Sequence, residues 1–307
     1  MYSACKSFLH SVAHATGISR VLAKRQKCLR VLMYHGVPHA SAAVFETQIR
    51  YLKAHFSIVS LDEIIASLVE GNVRANLLAL TFDDGLRNNF TVAYPVLQKF
   101  AAPATFFVCP GLVGTGGWIW THEARMRLRS LQPGEFTEFS KLAGVPAGGV
   151  EEMIEWMKCL ECAQRGKIET ALRTYTSGFS PTQEQRELYD LMSWEELSRL
   201  DAELITIGSH TMVHPILSAL DEANCAREIS DSRTLLEARL GRKVDYFCYP
   251  NGAKNDFVVK CVRKSYRAAV STECNVLTPI NSLFNLPRIP SAETIELLAW
   301  RLHRPGA

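Results

Sequence analysis

No stretch of the 307-residue chain approaches 18 uninterrupted apolar residues, which excludes a transmembrane helix. A surplus of one charge is missing too. Lys and Arg number 34 against 31 Asp and Glu, and a net +3 is too near zero for nucleic acid to be the main partner. Internal repeats and low-complexity runs are absent, and 47% hydrophobic with 21% charged residues is ordinary globular composition. Disordered, collagen-like and coiled-coil chains are thereby excluded.

The nine cysteines lack order. They stand at 5, 28, 109, 159, 162, 225, 248, 261 and 274, odd in number and irregular in spacing. No continuous secretory core precedes them, so a disulfide framework is not expected and a reducing compartment is. Cys159-x-x-Cys162 has no second such pair and no His pair nearby. It falls in the helical pattern EEMIEWMKCLECAQRGKIETAL, where i and i+3 share a face, and reads as packing rather than metal.

Acidic residues are absent before Glu46, while Lys6, Arg20, Lys24, Arg25, Lys27 and Arg30 are basic. Phe8, Leu9, Val12, Ile18, Val21 and Leu22 recur at helical spacing, and His10, His14 and Thr16 interrupt any signal-peptide core. Residues 1–28 read as a basic amphipathic segment on an anionic membrane surface, or as a helix that packs on the domain or frays. The expected location is cytoplasmic, peripheral at the inner face of the membrane in the first case.

What is present from residue 29 onward is an alternation of strand and helix. Leu29–Tyr34, Leu77–Phe82, Ala104–Cys109, Leu204–Gly208, Val244–Tyr249 and Ala268–Ser271 are short apolar runs that predict strands. Phe45–His55, Leu61–Glu70, Thr91–Phe100, Asn224–Leu240 and Asp256–Ser265 carry helical periodicity between them. Such alternation predicts a parallel sheet, open or closed into a barrel. The strands stop between about 118 and 200, where charged helical patterns suggest an insertion within one domain spanning 29–300.

Reactive residue types gather where those strands end, the face on which parallel α/β folds present their sites. The first group is Thr81-Phe82-Asp83-Asp84-Gly85. Adjacent carboxylates repel unless a cation neutralises one and the other serves as a base; the plainer alternative is a turn with a helix N-cap. The second is Ser209-His210-Thr211-Met212-Val213-His214. Histidines four apart share one face of a helical turn and, with one carboxylate, make a three-ligand set that leaves a position open for water. The third is Tyr246-Phe247-Cys248-Tyr249-Pro250-Asn251-Gly252, an aromatic strand ending in a turn that can wall a pocket.

Together these motifs resemble the polysaccharide deacetylases of carbohydrate esterase family 4, the NodB homology domain, over roughly residues 29 to 290. TFDDG matches the first family motif, SHTMVH the second, and FCYPNG stands at the third. The third lacks the Arg that many members carry and is similar to the branch with FAYPYG-like sequences. The resemblance implies a distorted (β/α) barrel that removes acetyl from an N-acetylated sugar. It also implies one divalent metal, zinc by preference, with Co²⁺, Ni²⁺ or Mn²⁺ as alternatives. Carried over, Asp83 is the general base, and Asp84, His210 and His214 are the metal ligands. An N–H from the 249–252 turn would help hold the oxyanion, and Tyr249, Pro250 and Asn251 are the substrate-binding residues expected there.

The C-terminal Leu-x-His-like acid of many members is replaced here by Asn285-Leu286-Pro287-Arg288. His35, in Met33-Tyr34-His35-Gly36, resembles the LMYH segment of the branch without that acid. It is either the acid or a residue that orients the site. Arg288 either steadies substrate or pairs with a buried carboxylate. Trp118 and Trp120 either stack on sugar or pack the insertion. The expected partner is an N-acetylated glycan or lipid-linked sugar, in cell-surface polysaccharide biosynthesis. Hydrolysis of another C–N amide and a non-catalytic glycan-binding relative are the alternatives.

Overall fold

Strands that are apolar on both faces need cover on both sides, and this chain follows nearly every strand with a helix. A computed structural model describes residues 29–71, 76–145, 148–278 and 281–303, so the basic segment 1–28 lies outside the described residues. β1 (Arg30–Tyr34), β3 (Leu77–Phe82), β4 (Ala104–Val108), β5 (Ile205–Ser209), β6 (Tyr246–Cys248) and β7 (Ala268–Val270) fall where the apolar runs predict. Two short strands were not legible: β2 (Ser57–Val59) and β8 (Ile289–Pro290). Three half-exposed residues and a proline-bearing pair carry no strand signal of their own; only their ladder partners make them strands.

All pairings between named strands are parallel, in the order β7-β6-β5-β4-β3-β1-β8, with β2 against the first half of β3. The segment 286–290 touches both edges. Leu286 bridges Val270, while Ile289 and Pro290 register with Leu32 and Met33. The sheet thus curls on itself into the distorted (β/α) barrel.

Alternation along the strands divides the core in two. Leu32, Tyr34, Leu80, Phe82, Phe106 and Phe247 pack with α1 (Ala42–His55), α3 (Tyr94–Lys99), α10 (Glu222–Leu240), α11 (Asp256–Ser265) and α12 (Ile295–His303). Val31, Ala79, Phe107, Tyr246, Cys248 and Val270 fill the other face, with α2 (Leu61–Val69) against them. Gly208 has to lack a side chain there, because a Cβ would lie 2.4 Å from the Phe107 ring.

Among the described residues the expected insertion is six helices: α4 (Trp120–Arg129), α5 (Pro133–Leu142), α6 (Val150–Lys158), α7 (Cys162–Tyr175), α8 (Gln183–Tyr189) and α9 (Trp194–Ser198). A third cluster of Trp120, Leu128, Phe139, Ile154, Met157 and Leu172 holds α4 to α7 together. The pattern around Cys159 and Cys162 is not one helix, as its periodicity suggests, but α6 and α7 with a break at 159–161. The break lets both helices turn apolar sides to α4. Both thiols are free, neither belongs to a metal-type cluster among the described residues, and no disulfide forms there. No described helix is long and apolar enough to cross a membrane.

Candidate active site

The ends of β1, β3, β5 and β6 and the start of β8 meet at one mouth of the barrel. Asp83 follows β3 directly, and its N–H donates to the Tyr34 carbonyl at 3.0 Å. The next two residues, Asp84 and Gly85, have φ of 73° and 68°, a turn that reverses the chain and leaves both carboxylates inside. A left-handed aspartate is uncommon, and such backbone is kept where the surroundings hold it in place.

Beyond β5, His210 donates its N–H to the Val108 carbonyl at 2.9 Å. The two histidines do not lie on a helical turn, contrary to the expectation from their spacing. Thr211 and His214 both have positive φ, 68° and 61°, so the segment is an irregular loop. It is fastened three ways. Glu228 of α10 accepts from the N–H groups of Met212 and Val213 at 2.8 and 3.2 Å. Gly111 N–H donates to Met212 at 2.9 Å, and Thr211 Oγ1 accepts from His214 N–H at 3.0 Å. The loop brings the two rings to 4.8 Å between centroids.

Asp84 Oδ1 stands 3.5 Å from His210 Nε2 and 3.6 Å from His214 Nε2. Ligand atoms of a tetrahedral site with bonds of about 2.0–2.1 Å are separated by about 3.3–3.4 Å, so this trio is spaced as if around one cation. The ligand atoms all lie within 4.8 Å of one another and all three residues are buried. His210 Nδ1 is 2.7 Å from the Cys248 carbonyl, a contact that places a proton on Nδ1 and leaves Nε2 as the nitrogen facing Asp84. Burial, then the charge of His210, push His214 down to about 3, which keeps it a neutral imidazole. Burial would raise Asp84, but hydrogen bonding from His210 and then the charge of His35 hold it below the ordinary carboxylate range. Two nitrogens and one carboxylate oxygen suit zinc or a similar divalent ion.

Asp83 belongs to a second arrangement. Arg288, fully buried at the start of β8, donates from Nη1 and Nη2 to Oδ1 and Oδ2 of Asp83, both at 2.7 Å. Its Nε donates to the Ser271 carbonyl at 2.8 Å, and Nη2 also lies 3.2 Å from Cys248 Sγ. Of the two expectations for Arg288, the buried pair is what forms, and with no exposed surface it does not reach substrate. Burial pulls Asp83 upward, but the charge and hydrogen bonds of Arg288 outweigh it and hold the carboxyl below its usual range. Asp83, His210 and Cys248 also cluster as a metal set would, yet Arg288 already takes both Asp83 oxygens.

The remaining candidates divide. His35 is exposed at the end of β1, near enough for its charge to act on both Asp83 and Asp84. Pro250 is buried and Asn251, with φ of 53°, is exposed on the third turn. Tyr249 does not wall a pocket with its ring: it is wholly buried, and its hydroxyl donates to the Phe284 carbonyl at 3.0 Å. Trp118 and Trp120, 7% and 6% exposed, are packing residues rather than a stacking platform. The Trp118 indole donates to Asp190 at 2.8 Å. That of Trp120 donates to the His214 carbonyl at 3.1 Å, with the Arg165 guanidinium 4.4 Å above its ring.

Residues 70–267, well over half the chain, match the polysaccharide deacetylase family. The chain belongs to that family. Over 269 residues this polysaccharide deacetylase is 22% identical to the YxkH protein of Bacillus subtilis (strain 168), covering 85% of this chain and 70% of that one. It is 35% identical over 75 residues to the poly-β-1,6-N-acetyl-D-glucosamine N-deacetylase of Staphylococcus aureus (strain MSSA476), a match to 24% of this chain and 26% of the relative. Its fold is that of the Streptococcus pyogenes deacetylase PplD, with a TM-score of 0.61, 18% identity, and 91% and 99% of the two chains covered.

Two residues of this deacetylase site escape the sequence. Cys248 stands among aromatic neighbours in the third motif, and nothing in that motif signals that its carbonyl meets His210 Nδ1. His122, on the first turn of α4, brings Nε2 to 3.9 Å from Asp84 Oδ2. Desolvation lowers its pKa. A single histidine within a charged helix gives no motif by which to find it.

Proposed function

We propose that the protein is a metal-dependent N-deacetylase that hydrolyses acetamido groups of an N-acetylated glycan or glycan precursor in cell-surface polysaccharide biosynthesis. The observation that carries this is the spacing of Asp84, His210 and His214 beside an ionised, Arg-held Asp83 in a member of the polysaccharide deacetylase family. The 75-residue likeness to a poly-β-1,6-N-acetyl-D-glucosamine N-deacetylase supports an acetylated aminosugar as substrate.

A divalent metal held by Asp84, His210 and His214 would polarise the acetyl carbonyl and make water acidic enough to attack it. Asp83 takes the water's proton. Held below the ordinary range by Arg288, it is a weak base that is ionised at neutral pH, so its value lies in fixed orientation. The carbonyl oxygen gains charge as the tetrahedral centre forms and needs a donor there. The N–H of Tyr249 faces the Val270 carbonyl at 3.4 Å and that of Gly252 donates to Tyr249 at 2.9 Å, which leaves Asn251 as the amide of that turn for the role. The departing amine must be protonated, and the exposed His35 at the β1 end supplies that proton.

Metal-reconstituted protein is expected to release acetate from N-acetylglucosamine oligomers, with release abolished by EDTA and restored by added metal. Release that EDTA leaves untouched would sink the metal reading. His35→Ala is expected to lower kcat by about 10²-fold or more at unchanged metal content. An unchanged kcat would remove His35 from the chemistry.

A further inference from the structure

Asp84 offers two oxygens, and the histidines of the β5 loop face one of them. His210 and His214 stand at 3.5 and 3.6 Å from Oδ1, while Oδ2 turns toward His122 Nε2 at 3.9 Å. The Asp84 side chain is 5% exposed, so water reaches Oδ2 only sparingly. A carboxylate oxygen with little access to water gains from a fixed donor, and carboxylates that bind metal normally have their other oxygen held.

His122 is placed to be that donor. Its side chain is 17% exposed, and its ring lies 4.7 Å from that of Tyr189 at an interplanar angle of 38°. Its Nδ1 is buried without a partner, so Nε2 is the nitrogen with a polar neighbour. The same helical turn is pinned to the second ligand through the Trp120 indole on the His214 carbonyl. The present separation exceeds a hydrogen bond by about 1 Å, a gap that a small pivot of the carboxylate toward the ring closes.

We propose that His122 is a positioning residue for Asp84. It holds Oδ2 through Nε2–H while Oδ1 faces the metal, which keeps the carboxylate monodentate and makes cation affinity depend on the inserted helices. This rests on the metal reading above, and the test separates the two. Metal-free protein is titrated with Zn²⁺ against a chromophoric chelator, and the thermal midpoint of each metal-free variant is recorded. His122→Leu, which fills the space without a donor, is expected to weaken Zn²⁺ binding by about 10–100-fold. His122→Gln, whose amide N–H reaches the same place, is expected to recover most of that loss and to leave the visible spectrum of the Co²⁺ form unchanged. Wild-type affinity in His122→Leu would overturn the proposal. So would a His122→Gln as weak as His122→Leu with an altered Co²⁺ spectrum, since that marks a ring nitrogen bound to the metal. A wild-type protein that takes up no Zn²⁺ would instead overturn the metal reading, and this proposal with it.

Discussion

Asp83→Asn is expected to lower kcat by about 10²–10⁴-fold while the protein still takes up stoichiometric metal. The amide keeps the shape of the side chain and can still accept from Arg288, but it cannot take a proton from water. His210→Ala is expected to lose metal and activity together, because it removes one of three donors grouped within 4.8 Å. Acetate release and metal content measured on the same samples distinguish the two. Full activity in Asp83→Asn would move the base elsewhere; loss of metal in that variant would mean that Asp83, not only Asp84, serves as a ligand.

Arg288→Met is expected to destabilise the fold by about 3–5 kcal/mol at neutral pH, the usual cost of leaving one charge of a buried pair alone. Both partners are nearly inaccessible, with side-chain exposures of 0% for Arg288 and 3% for Asp83, so water cannot take over. The pH dependence follows from the direction of the Asp83 shift. In the wild type its folded pKa is depressed, so its stabilisation is present above the unfolded value near about 4 and is lost as pH falls through the lower folded value. Without the guanidinium, burial dominates and the folded pKa rises above the unfolded one. The deficit of the variant is then largest near neutrality and shrinks on acidification. Urea unfolding of both proteins at pH 7 and pH 4 checks this. A deficit that stays the same at both values would mean that the loss is one of packing, not of charge. In any folded fraction of Arg288→Met, the acid limb of kcat is expected to move to higher pH.

The candidate site was legible because each part of it sits in a short contiguous motif at a strand end: Asp83 and Asp84 after β3, His210 and His214 after β5. Apolar runs such as Leu77–Phe82, buried at every position, made the main strands equally plain. The helical rationale for the histidine pair failed because left-handed Thr211 and His214 bring the rings together by another route. The role of Arg288 was open in the sequence because its partner lies 205 positions away and is reached only when the barrel closes. Aromatic residues near a glycine-rich loop give one signal for stacking and for packing alike. Only burial decides between them for Trp118 and Trp120. β8, two residues long and half proline, exists through its neighbours rather than its composition.

The segment that closes the sheet also delivers the counter-charge of Asp83. A partly folded chain with β1 to β7 assembled would already hold Asp84, His210 and His214 together, yet Asp83 would be buried without its guanidinium and would keep its proton. On the proposed roles, the cation site would not depend on residues 286–290, whereas the charge state of Asp83 would. Fraying of residues 286–290 from Val270 and Leu32 is then expected to lower the rate of acetate release more than it weakens uptake of a cation.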